Sequence, residues 1–118
     1  MINASIAKDQ PIMTVIEEFH PDYLTLHLDG RFDAHETPQV RQSLATHTPK
    51  NVHINLEKVT FLDSAALATL VQAMKNCRER GGDVVLCNMP QPVRIIFELT
   101  RLDKAFKIIN TVHDATQH

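Results

Sequence analysis

Residues 51–87, NVHINLEKVTFLDSAALATLVQAMKNCRERGGDVVLC, decide the architecture. Val52, Ile54 and Leu56 alternate with His53 and Asn55, the period of two that places apolar side chains on one face of a strand over about 51–56. From Ser64 to Arg80 the period changes: Leu67, Leu70, Val71, Met74 and Cys77 share one helical stripe, and Thr69, Gln72, Asn76 and Glu79 lie off it. Gly81-Gly82 supplies a left-handed stop, and DVVLC at 83–87 is a short continuous apolar run that suits a strand covered on both faces. Strand, helix, strand in this order predicts a right-handed βαβ crossover joining parallel neighbours.

Upstream, IMTVIEEF at 12–19 is rich in β-branched and apolar residues. The turn signal HPD separates it from YLTLHLDG at 23–30, where Leu24, Leu26 and Leu28 alternate with Thr25, His27 and Asp29. The two segments read as a hairpin-like pair that supplies the edge strands. HETPQVRQSLATH then carries Val40 and Leu44 at helical spacing, with Pro38 in the first turn, and predicts a short amphipathic helix. Downstream, Pro90 and Pro92 open a last helix over about 91–102, and Phe106, Ile108 and Ile109 form a short closing segment. The apolar arc of that helix, Val93, Ile95, Ile96, Phe97, Leu99 and Leu102, is wider than a surface helix needs. It reads first as a helix wedged between core and neighbouring segments, and second as an exposed apolar margin for a protein partner.

The 118 residues suit one domain, 1–118, with about ten residues at the start and about eight at the end, including VHDATQH, expected to fray. The expected fold class is α/β: a mixed four- to five-stranded sheet with helices packed mainly on one face. A formal charge of −2 does not point to nucleic acid or an anionic membrane as partner. The N-terminus lacks the basic and apolar regions of a signal peptide, and no stretch approaches the roughly twenty apolar residues of a membrane span, so a soluble cytoplasmic protein is expected. Cys77 and Cys87, ten positions apart among apolar neighbours, read as buried reduced thiols.

Seven histidines invite a metal or general-base reading, but no HxxxH pair, HExxH motif or Cys/His cluster is present, and solvated histidines are expected. With three glycines, neither a P-loop nor GxGxxG can be written. The surroundings of Ser64, Leu-Asp-Ser-Ala-Ala, are not a nucleophile elbow. Neither catalytic residues, metal nor cofactor are expected, and the chain reads as a binding protein rather than an enzyme.

FLDSAAL at 61–67 remains. With Asp63 as N-cap, Leu62 and Leu67 fall at the two positions of a hydrophobic staple, and Ser64 is the first helical residue, at the positive end of the helix dipole. A phosphate there is tolerable to the fold and places nearly two negative charges beside Asp63. The same two residues are also the commonest kind of helix start, and local physics does not choose between these readings.

Three segments in order resemble the STAS-domain family, the anti-sigma factor antagonists of bacteria, over about residues 12–109. LDGRFDAHETPQV is similar to that family's strand and Gly-x-Leu-Asp motif, at Gly30, Phe32 and Asp33; NLEKVTFLDSAALATLVQAMKNCRERGGDVVLCN is similar to its central block; PQPVRIIFELTRLDKAFKI is similar to its closing helix. The resemblance implies that Ser64 is a phosphoacceptor and that Asp33, Asp63, Ser64, Ala65 and Ala66 shape a partner-binding face. It implies an anti-sigma factor with serine kinase activity as partner, whose binding frees the sigma factor, and a phosphatase that reverses the modification. The chain departs from the family at Ala65 and Ala66, where Ser or Thr and then Gly are usual, and at Arg101, where Gly is common. A STAS subunit of a transport or signalling complex, with a permanent interface and no switch, is the alternative.

Overall fold

The computed structural model describes residues 12–110. The fraying expected of the termini lies outside the described residues. Five strands, β1 (Met13–Phe19), β2 (Leu24–Phe32), β3 (Asn51–Leu62), β4 (Asp83–Cys87) and β5 (Lys107–Ile109), form one sheet in the order β1-β2-β3-β4-β5. The first pair is antiparallel and the other three are parallel, so the sheet is mixed as expected. Only β1 of the N-terminal pair is an edge, however; β2 is interior, and the other edge is β5.

Three helices, α1 (Thr37–His47), α2 (Ser64–Glu79) and α3 (Gln91–Leu99), pack on one face. That face is written in the register: Leu26, Ile54, Leu86 and Ile108 stand side by side, and the first three are almost fully buried. On the opposite face the equivalent row is His27, Asn55, Cys87 and Ile109. Every apolar residue of β4 is buried, as the continuous run predicts. Both cysteines are free and buried; burial raises the Cys77 thiol and pushes the Cys87 thiol up to about 11.

Helix α2 ends as the glycine pair predicts. Gly81 adopts φ +87°, its N–H donates to the Arg78 carbonyl at 3.0 Å, and the Gly82 N–H donates to the Cys77 carbonyl at 2.9 Å, a Schellman closure. Gly82 also lies where a Cβ would meet the Lys50 carbonyl oxygen at 1.9 Å, so the end of α2 is pressed against the start of β3.

Two boundaries differ from expectation. Strand β3 continues to Leu62 rather than stopping near residue 56, because its register with β2 shifts twice and carries burial from Leu56 to Val59 and Leu62. Helix α3 stops at Leu99 rather than 102: Arg101 takes a left-handed conformation, φ 65°, and a 3₁₀ turn, Leu102–Lys104, follows. Val93 and Phe97 of α3 are buried, but Ile95 is 43% and Leu99 79% exposed, so the outer side of its apolar arc is a margin rather than a wedged face.

Candidate functional site

The parallel strands β2 and β3 both end at the same edge of the sheet, and α1 and α2 both start there. Asp33, just after β2, and Asp63, just after β3, are brought together by that topology, 30 positions apart in sequence. The Asp63 N–H donates to the Phe32 carbonyl at 3.3 Å, continuing the pairing of the two strands by one residue.

Asp63 is the N-cap of α2 in extended backbone, and its Oδ1 accepts from the Ala66 N–H at 2.9 Å. The second oxygen, Oδ2, accepts from the Ala34 N–H at 3.0 Å. One carboxylate thus ties the helix start to the loop after β2. Asp33 organises that loop from within: its Oδ1 accepts from the N–H groups of His35 at 3.1 Å and Glu36 at 3.3 Å. Arg31 lies alongside, its Nε 3.9 Å from Asp33 Oδ2 and its guanidinium 4.1 Å from the centre of the Phe61 ring.

Ser64 is the first residue of α2 and is exposed. No group among the described residues hydrogen-bonds its hydroxyl. Ser64 stands at the end of the helix that favours negative charge, where Asp63 already takes the N–H groups of Ala66 and Leu67. The hydroxyl is presented on a backbone fixed from two directions.

Ala65 is half-buried beside it. Ala66, expected on the partner-binding face, is fully buried in the core cluster, and this corrects the expectation. Its N–H serves the Asp63 cap and its methyl packs inward, so no partner can reach it. The exposed or half-buried residues around the Asp63–Ser64 helix start are Asp33, Ala34, His35, Asp63, Ser64 and Ala65.

One supporting residue was not legible in the sequence. Glu36 is buried at 2% exposure, accepts from the Ile12 N–H at 3.2 Å and from the Gln39 side-chain amide, and so anchors the start of β1 beneath the loop. Glu36 opens a helix in a run of polar residues, and no pattern distinguishes it from a solvated acid.

Among the described residues, His20, His27, His47 and His53 have side-chain partners, whereas His35 is exposed. Glu18 holds His27 Nε2 at 2.6 Å and His20 Nε2 at 3.0 Å, and the His27 hydrogen bond is the main reason the Glu18 carboxyl lies below its usual range. His53 stacks on Tyr23 with ring centres 4.2 Å apart; burial lowers its pKa, helped by the nearby His20 and Lys107 charges. No group of His, Cys, Asp and Glu among the described residues is arranged to hold a metal ion.

Residues 13–115 match the STAS domain. The chain belongs to the STAS-domain family. Within that family it is 30% identical over 98 residues to the anti-sigma-B factor antagonist of Listeria monocytogenes, an alignment that spans 80% of this chain and 86% of the relative. It superimposes on an anti-sigma factor antagonist from Mycobacterium paratuberculosis with a TM-score of 0.74 at 26% identity, covering 89% of this chain and 92% of that one. SpoIIAA of Bacillus, solved in its phosphorylated form, shares the STAS fold at a TM-score of 0.68 and 18% identity, covering 88% of this chain and 98% of that one. Among the described residues, no helix of this STAS domain is long and apolar enough to cross a membrane.

Proposed function

We propose that this STAS domain is an anti-sigma factor antagonist whose Ser64 face docks on an anti-sigma factor with serine kinase activity, so that the sigma factor is released. Phosphorylation of Ser64 by that kinase ends the interaction, and a phosphatase restores it. The observation that carries the reading is the exposed, unbonded Ser64 hydroxyl standing directly after a cap, Asp63, whose two oxygens lock the helix start to the neighbouring loop. The names of its relatives, anti-sigma factor antagonists in Listeria and Mycobacterium, agree with it.

The electrostatics supply the mechanism. Unmodified, the face carries the Asp33 and Asp63 carboxylates, with Arg31 Nε 3.9 Å from Asp33 Oδ2. A phosphoryl group on Ser64 gains from the helix dipole and from first-turn N–H donors, so the fold accepts it. It also adds close to two negative charges to a surface that already holds two, and a partner face matched to the unmodified surface meets repulsion and lost hydrogen bonds. The phosphate acts on the interface and leaves the core alone.

The test is incubation with the ATPase-type anti-sigma factor of the same genome and ATP, followed by mass spectrometry. One phosphate on Ser64, absent in Ser64→Ala, is expected, with Ser64→Ala still binding the kinase. Phosphate on another residue, or none while the kinase modifies its own antagonist, overturns the assignment.

Exposed Ile95 and Leu99 favour a second reading, in which α3 is a permanent contact of a STAS subunit in a transport or signalling complex. Co-purification of the untagged native protein with a transporter rather than with an anti-sigma factor would establish it.

A further inference from the structure

We infer that the groove between α1 and α2 is a docking surface for an acidic amphipathic segment of a protein partner, with Arg41 and Arg80 receiving its carboxylates. The inference extends the Ser64 reading, since the groove starts on the same edge of the fold, but it stands on different residues.

Helices α1 and α2 leave the Ser64 edge side by side and pack against each other. Between them lies a groove of about 430 Å³, a volume within the range of ligand-binding clefts. Its floor is apolar: Ala73 and Cys77 are buried there, and Leu44 packs against the same core. A guanidinium stands toward each end. Arg41 Nη1 donates to the Thr69 hydroxyl at 3.3 Å, and Arg80 Nη1 donates to the Pro49 carbonyl at 3.2 Å. Both acceptors are neutral, whereas Arg31 and Arg78 each face an aspartate.

Among the described residues no carboxylate lines the groove, although the chain has more acidic than basic residues, 14 against 12. An apolar trough with an uncompensated cation at either end is complementary to a segment with an apolar face and acidic flanks. Thr69 and Arg80 are 11 positions apart on and just past α2, or roughly 16 Å along the axis, which is long for a small molecule and suits about three turns of a helix. Thr69 is five positions from Ser64, roughly 7.5 Å along the same axis. Ser64 also lies about 140° around the axis from Thr69, so its hydroxyl and the groove occupy different sides of α2.

The experiment titrates the ¹⁵N-labelled full chain with three synthetic 16-residue peptides that share one leucine face and carry Glu, Gln or Lys at the polar positions. The Glu peptide is expected to shift the amides of Leu44, Ala73 and Cys77 and to bind at least tenfold more tightly than the Lys peptide. Arg41→Ala/Arg80→Ala loses at least tenfold, Arg41→Lys/Arg80→Lys keeps most of the affinity, and matched urea midpoints show that both variants fold. Equal binding of the Glu and Lys peptides, shifts confined to another face, or indifference to the double alanine variant overturns the inference. Tighter occupation of the groove by dodecyl phosphate than by the Glu peptide also overturns it, in favour of a small amphiphile. Ser64→Asp in the kinase assay separates the two readings: a kinase that ignores Ser64→Asp sinks the switch and leaves the peptide result standing. A groove that ignores the peptide sinks only this inference.

Discussion

Replacing Asp63 tests whether one carboxylate holds two segments at the switch. In Asp63→Ala the cap to the Ala66 N–H at 2.9 Å is lost, which costs about 1 kcal/mol. The bond from the Ala34 N–H at 3.0 Å is lost as well; it is charge-assisted but lies at the surface, and contributes about 1 kcal/mol more. Asp63→Ser keeps a cap oxygen for the helix but cannot reach the loop, so it loses only the second term. With a urea slope of about 1.5 kcal/mol/M, the unfolding midpoint falls by roughly 1.3 M in Asp63→Ala and roughly 0.7 M in Asp63→Ser. Amide exchange at Ala34 accelerates equally in both variants, because both free that N–H. Equal midpoints for the two variants, or an Ala34 amide that exchanges as slowly as in the native protein, would refute the double tether.

Three further outcomes are expected. Phe97→Ala, which empties a fully buried site where the ring meets Phe106 edge-on at 5.8 Å, destabilises by about 3–5 kcal/mol in chemical denaturation. Gly82→Ala drives a Cβ toward the Lys50 carbonyl and costs about 2–3 kcal/mol in the same assay, since backbone must move at the α2–β3 contact. His53 has a folded-state pKa below its ordinary 6.5, so the unfolded chain binds the extra proton and stability falls as pH drops through and below 6.5. His53→Phe keeps a ring against Tyr23 without titrating, and its thermal midpoint should fall less between pH 7 and pH 5 than that of the native protein.

The order of strands and helices was legible because each element carries a run of one period long enough to set its type. Where the period breaks, the reading stopped short. The alternation in β3 stops near Leu56, where Glu57 and Lys58 interrupt it, yet two register shifts against β2 carry the burial on to Val59 and Leu62. In α3 the apolar spacing runs on through Leu99 and Leu102, but the helix stops at Leu99 and a left-handed Arg101 starts a separate 3₁₀ turn. At the start of α2, the Asp63 cap and the Ser64 position followed from helix-start chemistry alone. The second tether to Ala34 and the buried Glu36 depend on contacts 29 and 24 positions apart, which no local pattern encodes. Ala66 was placed on the partner-binding face by the family resemblance, and the packing of α2 on the sheet buries it instead.

The switch itself is tested most directly by titrating the cognate anti-sigma kinase with unmodified and Ser64-phosphorylated protein, while circular dichroism checks that the two forms share one fold. Identical spectra with a loss of affinity on the order of a hundredfold are expected, from like charges added to the proposed interface beside the Asp33 and Asp63 carboxylates. A phosphorylated protein that binds within about threefold of the unmodified one, at a resolution of about 0.6 kcal/mol, would contradict the account.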